Sequence, residues 1–401
     1  MVPDGEEVGT FFDRERWHDV ENHDDVDTQE DTLSPSTLSS VSVAILLFVA
    51  VIAAGGGLGF VYYIHQAAWD AARPIVTTPV DYRSTPQQWI GYLEDRAIRL
   101  SEVDKPGCFT ASLDGDVFVG ENEKPILYRY SLQGELLATL TLDAVPTAVA
   151  VGEKETLFSN QLVVAYRNRL AVYSLDGKKQ ADWPPLRENA SIHSLALTTD
   201  SVYAADSAGL VVLRFDETGQ LLRKIGHKPK EPPRPNDDVN VFPGFVVFSS
   251  PISLTVSKTT GLIFVANPGM HRLEVFTPDG HWEPSLSWGK ASADLIGFTG
   301  CCNPVCVVSL SDGRIVTAEK TENLRVKVFS ANLKLDWVVA GPELLTRPPP
   351  NIPLPNNFRT VVADSDRPIK VAAIAEDRIV VYDPDLRLFR LFLPTHQNRK
   401  H

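Results

Sequence analysis

Basic charge is what this 401-residue chain most lacks: its formal net charge is −13. Outside the first 40 residues the balance is only about −3, which leaves no electrostatic footprint for nucleic acid. No Ser, His and Asp stand in a nucleophilic order, and no phosphate-cradling glycine loop occurs. The nine histidines are scattered, with no pair at metal-binding spacing. From Pro106 onward no long helical periodicity survives, which excludes a helix-rich fold. No catalytic or metal-ligating set is therefore assigned, and no cofactor is expected.

The first 40 residues hold twelve Asp/Glu against two Arg. A segment so acidic and so poor in large apolar residues cannot offset its ordering entropy, so residues 1–40 read as a disordered tail. Within it, FFDRERW (Phe11–Trp17) offers a docking element as the alternative. Val41–Ile64, VSVAILLFVAVIAAGGGLGFVYYI, is uncharged and long enough to span a bilayer core. Tyr62, Tyr63 and Trp69 stand at its end, where an aromatic belt belongs. The run is too long and too far from the start for a cleaved signal peptide, so residues 41–64 are expected to be a single-pass transmembrane helix. Arg73 and Arg83 after the span point to a cytosolic C-terminal part, although large domains translocate largely regardless of charge. Residues 65–105 form a connector. In it TPQQWIGYLEDRAIRL carries Thr85, Pro86 and Gln88 as a helix-start pattern, and Trp89, Leu93 and Ala97 at helical spacing, which predicts a short amphipathic helix.

Residues 106–395 read differently. Short Val/Ile/Phe-rich runs alternate with Asp-Gly and similar turns, the pattern of an all-β fold. The stretch PGCFTASLDGDVFVGE (from Pro106) aligns without a gap on PVCVVSLSDGRIVTAE (from Pro304). Related units begin at Pro146, Ile192, Pro251 and Arg367, each followed by a third strand such as LYRYSLQGE or LEVFTPDGH. Six units over roughly 290 residues give about 48 residues each, close to the length of a propeller blade. A lone four-stranded sheet cannot bury its faces, whereas a closed ring of them can. The expected fold is an all-β, six-bladed propeller, with five or seven blades as the alternatives and LRLFRLF near the C-terminus as the closing strand.

The repeat register aligns Cys108, Ala148, Ser194, Ser253, Cys306 and Lys370 at one inner-strand position, where small residues suit a crowded centre. It aligns Glu121, Asp206, Asn267, Glu319 and Asp383 after the middle strand. That second set could be a cation-binding ring, but Asp and Asn commonly bond turn backbone, and this is the preferred reading. Two proline-rich insertions, Gly226–Gly244 and Gly341–Asn357, interrupt the repeat. Insertions in repeat folds often collect on the binding face.

ENLRVKVFSANLK and, more weakly, HRLEVFTPDG resemble the ending of NHL repeats. The stretch GFTGCCNPVCVVSLSDGRIVTAEKTENLRVKVF (Gly297–Phe329) resembles the signature of a group of bacterial NHL-repeat propellers. It matches in Gly300, Cys301, Cys302, Asn303, Pro304, Asp312, Gly313, Glu319 and Lys320. The resemblance implies a propeller and an exported or membrane-anchored protein with its large domain outside the cytoplasm. It implies no activity.

Three readings of Cys301-Cys302 stay open. Adjacent Cα atoms are about 3.8 Å apart, below the usual disulfide range of about 4.4–6.8 Å, so a vicinal disulfide would be strained and labile. A metal or iron–sulfur cluster is the second, although Cys-Cys-x3-Cys lacks the usual spacing. The third is thiols that simply pack. Cys108 and Cys306 fall on blades one and five, too far apart to bond to each other. The candidate ligand-binding or redox residues are Cys108, Cys301, Cys302, Asn303, Cys306, Glu319 and Lys320. The functional expectation is a membrane-anchored binding module for an unknown protein or small molecule, its binding face near the Cys-Cys turn. The alternative is a redox or metal-dependent enzyme, or an electron-transfer accessory protein, using the cysteines at the channel mouth.

Overall fold

The Val/Ile/Phe-rich runs become strands, and the Asp-Gly and related turns become hairpins with glycine at positive φ, as at Gly115, Gly177 and Gly313. The computed structural model describes residues 85–100, 102–227, 241–300, 302–320, 324–345, 369–383, 386 and 388–395. All lie within one unit, Pro79–His401. The acidic tail and the apolar run 41–64 lie outside the described residues. Among the described residues no helix is long and apolar enough to cross a membrane.

Strand β1 (Tyr92–Arg99) follows a short 3-10 turn at Gln87–Trp89. Blade one is then β2–β5 (Pro106–Ala111, Val117–Glu121, Ile126–Tyr130, Leu136–Thr141). Blade two is β6–β9 (Ala148–Val151, Gln161–Tyr166, Arg169–Ser174, Lys179–Asp182). Blade three is β10–β13 (Ile192–Leu197, Val202–Asp206, Val211–Phe215, Leu221–Ile225). Blade four has three regular strands, β14–β16 (Leu254–Val256, Ile263–Asn267, Arg272–Phe276), edged by single bridges to Trp282 and Trp288. Blade five is β17–β20 (Cys306–Ser309, Ile315–Glu319, Arg325–Phe329, Leu335–Ala340), followed by the helical turn α1 (Pro342–Leu345). Blade six is β21–β23 (Lys370–Ile374, Arg378–Asp383, Leu388–Pro394) with β1 as its outermost strand.

Each sheet is antiparallel, and each innermost strand packs against the innermost strand of the next blade until β21 meets β2. The architecture is the expected six-bladed propeller. Second strands such as β3, β11, β15 and β18 are buried along their whole length, whereas the outer strand β13 is exposed at four of five positions. This gradient explains why the second strands read as unbroken apolar runs. A further repeat fixes the outer hairpins. Ser131, Ser174, Asp216, Thr277 and Ser330 stand at or just past the end of a third strand, and each accepts the backbone N–H four residues on.

Two expectations are corrected. The helix expected in TPQQWIGYLEDRAIRL is absent: after one 3-10 turn the segment extends into β1, which pairs with β23 from Tyr92↔Pro394 to Arg99↔Leu388. Helical spacing in the sequence was overridden by a free sheet edge needing a partner, so the propeller begins at Tyr92 rather than Pro106. The closing strand is accordingly β1, and LRLFRLF supplies the third strand beside it.

Candidate functional site

The inner strands enclose a channel of about 970 Å3 whose wall includes Cys108, Ala148, Ser194, Ser253, Cys306 and Lys370, the six residues that the register aligned. Inner strands diverge around an axis and do not pair, so their backbone groups need other partners. The aligned side chains supply some. Ser194 Oγ accepts the Leu254 N–H at 3.1 Å, and Ser253 Oγ accepts the Val307 N–H at 3.1 Å. Cys306 Sγ approaches the Val371 carbonyl at 3.8 Å. Each bridges to the residue just past the aligned position on the next blade. Cys306 is thus the third member of a Ser, Ser, Cys series that stitches blade to blade, a role the sequence alone did not disclose.

Burial pushes the Cys108 thiol up to about 11, with Lys370 and nearby backbone opposing. Burial also raises the Cys306 thiol. Both are protonated at neutral pH, which makes them poor nucleophiles and poor metal ligands. Cys108 and Cys306 form no disulfide with each other. Cys301 lies outside the described residues. Among the described residues no three His, Cys, Asp or Glu side chains gather as a metal site requires.

The set after the middle strands is buried at all five positions, and it bonds backbone. Glu121 accepts the N–H groups of Asp104 and Lys105 at 2.7 and 2.8 Å. Asp206 accepts those of Ser191 and Gly209, and pairs with Arg187 at 2.8 Å. Asn267 accepts the Val246 N–H at 2.8 Å, Glu319 that of Thr299 at 3.0 Å, and Asp383 that of Leu386 at 3.1 Å. In four blades the side chain holds the segment that leads into its own innermost strand. The turn-bonding reading accounts for these contacts.

The Cys-Cys turn is built from the same device. Gly300 and Cys302 have φ of 68° and 65°, and Asn303-Pro304 is cis. The buried Asn303 amide donates to the Thr299 and Lys320 carbonyls, while its oxygen accepts the Lys320 N–H at 2.8 Å. Glu319 holds Thr299 from behind, and its other oxygen meets the fully buried Lys327 ammonium at 2.8 Å. Lys327 also donates to the Leu295 and Gly297 carbonyls and lies over the Phe298 ring. Cys302, Asn303 and Glu319 are therefore buried behind the channel wall, whereas Cys108, Cys306 and Lys320 line it. Lys320 reaches back to Ser249 Oγ, on the segment leading into blade four, at 3.0 Å.

This turn precedes an innermost strand, as do both proline-rich insertions, which join β13 to β14 and β20 to β21. All three connections return at the channel's entry end, where the inner strands begin. Residues 228–240 and 346–368 of the insertions lie outside the described residues. Phe248, 73% exposed, stands on the connection that leads into β14.

No protein-family model matches the chain, and no curated protein matches it in sequence. Among solved structures it is similar to a protein of unknown function from Bacteroides thetaiotaomicron, at 12% identity and a TM-score of 0.51, covering 74% of this chain and 72% of that one. A virginiamycin B lyase from Staphylococcus aureus aligns over 75% of this chain and 99% of its own, at 10% identity and a TM-score of 0.45. Likeness at this level speaks to the fold, and no activity is carried across.

Proposed function

We propose that the chain is a membrane-anchored, NHL-like propeller that acts as a binding module, its ligand seated in the entry mouth beside the Cys-Cys turn. The observation that carries this reading is the channel of about 970 Å3, walled by all six blades and, just ahead of β14, β17 and β21, by Ser249–Pro251, Val305 and Ile369. A concave, mostly apolar site with a few placed polar groups is the usual form of a ligand pocket. The Cys-Cys turn then belongs to the rim's framework, since Asn303 and Glu319 fix the segments beneath it. The redox reading gains no support from Cys108 or Cys306, whose thiols are held protonated.

His193 projects into the entry half of the channel, so His193→Trp narrows it without altering a buried contact. The full chain in detergent, incubated with a small-molecule extract and freed of unbound material, is expected to retain a species identified by mass spectrometry. The His193→Trp variant is expected to lose it. Equal retention by both proteins, or none by the native one, overturns the channel reading. Anchoring through Val41–Ile64 is checked separately: the chain should stay with membranes through carbonate washing and be released once that segment is deleted.

A further inference from the structure

Lys370 breaks the series to which it belongs. The aligned positions on the other blades carry Cys, Ala, Ser, Ser and Cys, and three of those side chains bridge to the next blade. Lys370 sends an ammonium into the channel instead, with no ion-pair or hydrogen-bond partner among the described residues. Its charge is felt at Cys108 on blade one, at Cys306 on blade five and at His193 on blade three, directly across the ring. Lys370 shares the channel wall with all three of those side chains.

Among the described residues the wall around it carries no compensating charge. The two carboxylates that line the channel, Glu153 and Glu155, follow the end of β6 and stand at the opposite mouth. The buried acids that close the second strands, Glu121, Asp206, Glu319 and Asp383, are committed to backbone N–H groups, Asp206 also to Arg187 and Glu319 also to Lys327. At the entry end the basic residues of the wall, among those described, are Lys370, Lys320 and His193. A partly enclosed ammonium without a counter-charge is costly, and low-dielectric walls of one sign concentrate counter-ions. That cost falls when a ligand supplies the missing charge.

We infer that the entry half of the channel is a binding site for a small oxyanion-bearing ligand, a carboxylate or a phosphate, anchored by the Lys370 ammonium with His193 facing it across the ring. This inference rests on the channel reading and adds the ligand's chemical class. Isothermal titration of the full chain in detergent tests it, using citrate and inorganic phosphate as separate anionic probes and sorbitol as a neutral one. Native protein, Lys370→Met, Lys370→Arg and His193→Trp are compared, each shown by circular dichroism and melting to be folded.

The expected result is saturable binding of at least one anion, weakened tenfold or more by Lys370→Met, largely kept by Lys370→Arg and abolished by His193→Trp. Which anion binds separates carboxylate from phosphate. Binding of neither anion to the native protein, or equal binding to Lys370→Met, overturns the inference. Sorbitol binding that survives Lys370→Met but not His193→Trp overturns the anion class alone and leaves the channel as a ligand site. Anion binding undiminished by His193→Trp overturns both.

Discussion

Lys327 is the residue on which the Cys-Cys turn's framework closes. Its ammonium is 2.8 Å from Glu319, within reach of two carbonyls and fully buried. Burial lowers its pKa to about 8, with the neighbouring Arg325 acting in the same direction and Glu319 against it. An ordinary lysine holds its proton to 10.5, so between those two values the unfolded chain binds more protons than the folded one. Stability therefore rises with pH across that window, by on the order of 3 kcal/mol if Lys327 acted alone. Below pH 8 the full penalty of the buried cation applies. Urea unfolding at a series of pH values should show this rise in the native protein and not in Lys327→Met. Because tyrosines begin to ionise near pH 10, the comparison is cleanest from about 8 to 10. At pH 7 the same variant should lose about 3–5 kcal/mol, since it leaves Glu319 buried with a poorer partner.

At the scale of the element, the recurrent device is a polar side chain ending a second strand and holding the segment that enters the blade. Asn267→Ala removes the acceptor of the Val246 N–H and should cost about 1–3 kcal/mol in denaturant unfolding. Asn267→Asp should not rescue it. The Asn267 amide also faces Glu274 at 3.4 Å, so a carboxylate there would bury two like charges together. This explains why one blade carries an amide where its neighbours carry acids. The repeat made these positions legible, because Glu121, Asp206, Asn267 and Glu319 each close an apolar second strand. Their role was legible too, since an Asp or Asn beside a turn has backbone donors in reach. The bridging role of Cys306 was not, because it depends on which residue the next blade presents. Lys370 stood out in the register only as an oversized exception. The meaning of that exception needed the opposing wall. β1 was misread for a related reason: its burial follows no clean alternation, Leu93 is 63% exposed beside buried Tyr92, and a bulge lies between Glu94 and Arg96. Nothing local betrays a strand whose partner is some 300 residues away.

For the whole molecule, closure makes six sheets behave as one body. Tyr92 packs among Leu324, Val326 and Val339 of blade five and Val381 and Phe392 of blade six. Tyr92→Ala should therefore cost about 3 kcal/mol and move a single transition, followed alike by tryptophan fluorescence and far-UV circular dichroism. Two separated transitions would mean that blade six unfolds apart from the rest. Leu93→Ala, at an exposed position of the same strand, should stay within about 0.5 kcal/mol of the native protein. The pairing of β1 with β23 also carries a consequence in time. During synthesis β1 is the first strand of the ring to leave the ribosome, yet its partner is the last. Until Leu388–Pro394 emerges, β1 has no strand to pair with, so the ring can close only when its first and last strands meet.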